Sequence, residues 1–185
     1  MNENVRVYGE RKTERYESTK VLVISAILLA IGTVTHTIFR GPDFLLACMF
    51  VSIAMSNNKK DFFAITVAAG LLTGMTQVNP VGTAASILDK IISGYFFLFL
   101  TNVMGEEHKD NVILFAIAVV LSTILSGYIY FASYYAMGKL VGLPNTMKVM
   151  QRGVLIPVLT LVMPTACANG FIATVLNKAY KLSKF

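Results

Sequence analysis

Apolar residues run through this chain in long blocks, and polar residues gather in the short stretches between them. Residues 21–39 contain no Asp, Glu, Lys or Arg, and at about 1.5 Å per residue they come close to crossing the roughly 30 Å hydrocarbon layer of a bilayer. Further blocks follow at 44–55, 62–78, 83–104, 112–137 and 153–176. The second is short for a crossing and the third marginal, so both are expected to complete the span with flanking residues. The first block does not read as a cleaved signal: a mixed-charge stretch of about twenty residues precedes it, no small-x-small site follows, and Arg40-Gly41-Pro42 leads into more apolar chain. The pattern predicts an all-α membrane protein, a bundle of six transmembrane helices. One membrane domain over 20–178 is expected, with polar tails at 1–19 and 179–185.

Composition strengthens this picture. Hydrophobic residues make up 55% of the chain and charged residues 14%, against roughly 25% charged in a soluble domain. With an even number of spans, one side of the membrane holds Arg6, Arg11, Lys12, Arg15, Lys20, Lys59, Lys60, Lys109, Lys178, Lys181 and Lys184, and the other holds Arg40, Lys139, Lys148 and Arg152. The positive-inside bias therefore puts both termini in the cytoplasm. It also accounts for the +6 net charge, since anionic lipid heads satisfy juxtamembrane cations and no nucleic-acid-binding pattern accompanies them.

Against this apolar background, Asp89 and Lys90 lie well inside the fourth block. A charge at membrane depth costs about 2.5 to 3.5 kcal/mol on insertion scales, so such residues face a cavity or a partner. If the fourth helix enters from outside at Thr83, Asp89 is about 9 Å down, and Tyr130 of the fifth and Thr160 of the sixth are each about 11 Å down. These groups share one layer. Adjacent residues point about 100° apart, so Asp89 and Lys90 reach one spot only beside a wide cavity; the alternative is that each pairs within the bundle. A ligand carrying both an amine and a carboxylate would suit them. Tyr128 and Tyr130 are deep enough in the aromatic cluster of helix five to stack on a planar ligand, whereas Tyr134 and Tyr135 read as interfacial anchors. His36, near the outer end of helix one, reads as an ordinary satisfied polar residue.

Small residues four apart, Ala26 and Ala30, Ala64 and Ala68, Gly70 and Gly74, Ala132 and Ala136, mark expected close helix contacts. Cys48 and Cys167 read as buried small hydrophobes. No GxxxxGK[ST], HExxH or GxSxG motif occurs and no carboxylates are spaced for two metals, so neither an enzyme nor a cofactor is expected, and energy for any pumping must come from elsewhere.

Six helices in a chain of this length, the sequence Ala26-Ile27-Leu28-Leu29-Ala30 in helix one and Pro- and Gly-containing outer turns together resemble the substrate-binding S components of energy-coupling factor (ECF) transporters. Within that group, Arg40-Gly41-Pro42-Asp43 and the Asn79-Pro80 turn followed by Ile87-Leu88-Asp89-Lys90 are similar to the tryptophan-transport S components. The resemblance implies a multi-pass protein of the prokaryotic plasma membrane that binds tryptophan with high affinity and joins a transmembrane coupling subunit and two cytoplasmic ATPases. It implies that Ala26 and Ala30 meet the coupling subunit. It places the site between the outer parts of helices four to six beneath the loops, so Arg40 and Asn79 join Asp89, Lys90, Tyr128, Tyr130 and Thr160 as candidate binding residues. The absence of Trp among twenty aromatic residues suits a protein made during tryptophan shortage. Two other readings stay open: an S component for a different planar nutrient such as a vitamin or its precursor, and a structural or regulatory membrane subunit without a small-molecule ligand.

Overall fold

Helix α2, Phe44–Met55, is apolar on every side, and a helix without a polar face has to be enclosed. The computed structural model describes residues 3–38, 43–56, 58–105, 111–142 and 158–183, and in it the other helices surround α2. Before it comes α1, Glu3–Ile38; after it come α3, Lys59–Met75, α4, Pro80–Val103, and α5, Val112–Val141. A π-helical segment, Val158–Val162, leads into α6, Met163–Leu182. Six helices and, among the described residues, no strands make this an all-α fold. Among the described residues, four helical stretches are long and apolar enough to cross a membrane: Tyr16–Ile38, Pro80–Val103, Val112–Val141 and Leu159–Leu182. The protein is a multi-pass membrane protein.

The apolar blocks locate the helices and misjudge several ends. Block one is the apolar part of a helix that continues through the charged residues before it. Helix α4 begins at Pro80, where Asn79 caps it by accepting a hydrogen bond from the Gly82 amide at 2.7 Å, a cap that a purely hydrophobic reading misses. Helix α5 runs on to Val141 and α6 to Leu182. At the other extreme, α2 recruits no flanking residues. Its twelve residues are about 18 Å long, and Leu45, Met49, Phe50 and Val51 have no measurable exposure or almost none. It works as the core, with Phe50 stacked on Phe97 at 4.8 Å and Phe97 edge-on to Phe115 at 5.9 Å.

Around that core the contacts are narrow seams. From Tyr16 onward, α1 buries Val21, Ser25, Leu29 and Gly32, a single stripe against α2, and leaves Ile27, Ile31 and Val34 exposed. At its charged end Ser18 Oγ donates to both carboxylate oxygens of Asp61, at 2.8 and 2.7 Å, tying α1 to α3. Cys48 is buried, as expected, whereas Cys167 is exposed on the outer face of α6, where a small thiol costs little beside lipid. Helices α3 and α4 approach closely where Gly70 faces the backbone of Ile87 and Gly74 faces Thr83; a Cβ on Gly74 would lie 2.9 Å from Thr83 Cγ2. The hydroxyl of Thr83 donates to the Gly74 carbonyl at 3.0 Å, so the approach also satisfies a polar group. Gly74→Leu should therefore cost about 1–3 kcal/mol by forcing α3 away from α4. A melting curve of the detergent-solubilised variant that matches the wild type would contradict this contact.

Candidate functional site

The chain entering α2 brings an acidic side chain to the head of the buried helix. Asp43 caps α2 by accepting from the Leu46 amide through Oδ1 at 3.2 Å. Its other oxygen accepts from Lys90 Nζ at 2.8 Å, and Lys90 Nζ donates to Asp89 Oδ2 at the same distance. The side chains of Asp89 and Lys90 are each 2% exposed and that of Asp43 20%. Lys90 is ten residues into α4, about 15 Å along it, and its ammonium meets the residue that caps α2. Adjacent Cβ atoms on a helix do diverge, but the four-carbon stem of Lys90 carries its ammonium back over Asp89. The expectation that the two cannot meet in a narrow space is thereby corrected.

Helix α4 turns these residues inward because Ser86, Asp89, Lys90 and Ser93 recur at helical spacing and form its buried stripe. On α5 the matching stripe is Thr123, Ser126 and Tyr130. Between the stripes lies a cavity of about 240 Å³. One side carries charge: Asp43, Asp89, Lys90 and His36, whose Nδ1 is 3.8 Å from Asp43 Oδ1. The opposite side is largely apolar, formed by Gly127, Phe131, Leu161 and Val162. Gly127 has no side chain and Val162 occupies the space a Cβ would need, which lets the π-helical segment close against α5; such segments recur at functional sites. Toward the α3–α4 turn, the Tyr130 hydroxyl donates to Gln77 Oε1 at 3.0 Å, and Tyr130 stacks on Tyr134 with centroids 5.9 Å apart. Asn79 Nδ2 donates to the Tyr134 hydroxyl at 3.1 Å, so the turn is tied to the aromatic pair twice.

Of the residues singled out from sequence, Asp89, Lys90 and Tyr130 line this cavity together. Asn79 instead lines a shallow neighbouring groove with Val78, Pro80 and Thr83. Tyr128 is 55% exposed and Thr160 is also exposed, and neither is among the residues lining the cavity. Arg40 lies outside the described residues. Tyr134, read as an interfacial anchor, is part of the inner network. Asp43, Gln77, Ser86, Thr123, Ser126 and Thr165 were not chosen from sequence as binding residues. Polar residues three, four and seven apart within apolar blocks are the signal that would have found those on α4 and α5.

Electrostatically the arrangement is incomplete. Two carboxylates share one ammonium, leaving a net charge of −1 when His36 is neutral. Asp89 Oδ1 is buried and makes no well-aligned hydrogen bond among the described residues, although the Ser126 hydroxyl lies against this carboxylate, and Lys90 uses two of its three donors. A buried carboxylate oxygen without a partner is costly, and a cationic donor entering the cavity relieves it. Within the described residues, no three His, Cys, Asp or Glu side chains are grouped to hold a metal ion.

A family model described as "Tryptophan transporter TrpP" matches residues 18–183. The chain belongs to this tryptophan transporter family. Relatives named "Probable tryptophan transport protein" come from Clostridium perfringens, 31% identical over 180 residues, covering 90% of this chain and 93% of that one, and from Bacillus subtilis, 31% identical over 145 residues, covering 75% and 81%. One from Clostridium acetobutylicum is 28% identical over 170 residues, covering 89% and 93%. No solved structure matches. Every residue that lines the cavity falls within the segment the family model matches.

The ion triad predicts a specific asymmetry within this family member. Lys90→Met strands two buried carboxylates and should cost about 3–5 kcal/mol, whereas removing all three charges as Asp43→Asn, Asp89→Asn and Lys90→Met should recover most of that loss. Melting temperatures of the purified variants check it; equal loss in both would mean that burial alone, not charge pairing, holds this region.

Proposed function

We propose that the protein is the substrate-binding membrane subunit of a tryptophan importer. The observation that carries this reading is a small, partly open cavity with a buried carboxylate oxygen and one spare ammonium donor among its polar groups and an apolar wall beside them. An amino acid with a large planar side chain has the matching groups. Its ammonium donates to Asp89 Oδ1, its carboxylate accepts the remaining Lys90 donor, and its ring lies against Phe131, Leu161 and Val162 beneath Tyr130. The family supports tryptophan as that amino acid. At about 240 Å³ the cavity is below the roughly 300–1,000 Å³ of drug-sized ligand sites, which favours an amino acid over a larger vitamin.

The chain has no nucleotide-binding motif, so accumulation against a gradient depends on other subunits. In the ECF arrangement, both termini are cytoplasmic, the cavity opens outward through the α3–α4 side, and a coupling subunit with two ATPases drives release inward. Ala26 and Ala30 are exposed beside the α1 seam, where small side chains let a partner helix approach.

Two measurements test the two levels of this reading. Calorimetry on the purified protein should show tryptophan binding, with tryptamine and indole at least tenfold weaker because each leaves a buried partner unpaired, and Asp89→Asn should weaken tryptophan by at least tenfold, about 1.4 kcal/mol. Equal affinities for the three compounds would sink the zwitterion clamp. For coupling, Ala26→Leu with Ala30→Leu should abolish cellular uptake and leave binding by the isolated protein intact. Persistent uptake would remove this face as the coupling surface.

A further inference from the structure

We propose that the Thr123 hydroxyl accepts the ring N–H of the ligand and selects an indole over a plain benzene ring, an inference that rests on the tryptophan reading above. Thr123 lines the cavity, is 2% exposed, and its Oγ1 has no hydrogen-bond partner among the described residues. It sits on α5 one turn from Gly127, within the wall that also includes Phe131, Leu161 and Val162. Of the other hydroxyls that α5 and α6 bring to the cavity, Tyr130 donates to Gln77 Oε1 at 3.0 Å, Thr165 donates to the Leu161 carbonyl at 2.7 Å, and Ser126 lies against the Asp89 carboxylate. Thr123 is therefore the wall's open polar group, whereas the unpartnered Ser86 hydroxyl, one turn from Lys90 on α4, belongs to the charged side.

A zwitterion held at Asp89 and Lys90 with its ring against α5 and α6 has one further polar group to satisfy if that ring is indole, and none if it is benzene. A buried hydroxyl left without a partner costs free energy that a matching N–H recovers, and sites built this way reject analogues lacking the donor far better than apolar pockets reject a change in size. The charged side then binds amino acids in general, and Thr123 supplies the preference for tryptophan over phenylalanine. It acts on the ring, so its effect is separable from that of the charge clamp.

The test is calorimetry of L-tryptophan and 1-methyl-L-tryptophan, which lacks the ring N–H, on the full-length wild type, Thr123→Val and Thr123→Ser. Thr123→Val keeps the shape and should weaken tryptophan about tenfold while changing 1-methyl-tryptophan less than about twofold. Thr123→Ser, which keeps the acceptor, should restore the discrimination. The 1-methyl ligand also controls for folding, since a collapsed site loses both. Undiminished tryptophan affinity in Thr123→Val, or equal losses for both ligands, would overturn the assignment with the tryptophan reading intact; no binding of tryptophan to the wild type would overturn both.

Discussion

One ammonium shared by two carboxylates governs this fold. Lys90 reaches from α4 to the head of α2 and pairs with Asp43, the residue that caps it. Helix α2 cannot cross the bilayer at about 18 Å, and it has no polar face to show to water. It can be buried only if its amino-terminal polar groups are satisfied at depth, and Asp43 does this twice, by capping the helix and by pairing with Lys90. A buried ion group is seldom the most stabilising choice, since desolvation offsets much of the attraction. Its value lies in position: three charges in a mostly apolar bundle have one arrangement in which they all meet, and that arrangement fixes the register of α2 against α4.

The same constraint creates the site. Charge has to be concentrated in one place at this depth, and the geometry that gathers it leaves Asp89 Oδ1 open. Opposite, Gly127 lets Val162 close in, so an apolar wall faces the charges across a space the size of an amino acid. The residues that satisfy the head of α2 also line the cavity, where two carboxylates share one ammonium.

The bundle was legible in the sequence because long apolar blocks persist as buried or lipid-facing helices, and each of the six blocks overlaps one. The role of α2 was not, because a fully apolar segment reads alike whether lipid or protein surrounds it; only its length hinted at the difference. Asp89 and Lys90 stood out by their cost at membrane depth. Asp43 did not, since an acidic residue between two helices is ordinary until its pairing with Lys90 is seen. Tyr128 and Tyr130, two residues apart, looked equivalent by depth, yet that spacing turns them about 200° apart on a helix, and only Tyr130 faces inward. The α3–α4 contact at Gly70 and Gly74 was anticipated by their spacing, whereas the approach at Gly127 depends on Val162 from a distant segment and leaves no local signature.

An experimental structure of the protein with tryptophan bound tests the central claim most directly. The account predicts the ligand ammonium within about 3.2 Å of Asp89 Oδ1, its carboxylate on Lys90, and Asp43 still bridging Lys90 to the head of α2. Tryptophan seated away from these side chains, or Lys90 turned out of the cavity with α2 unmoved, would contradict it.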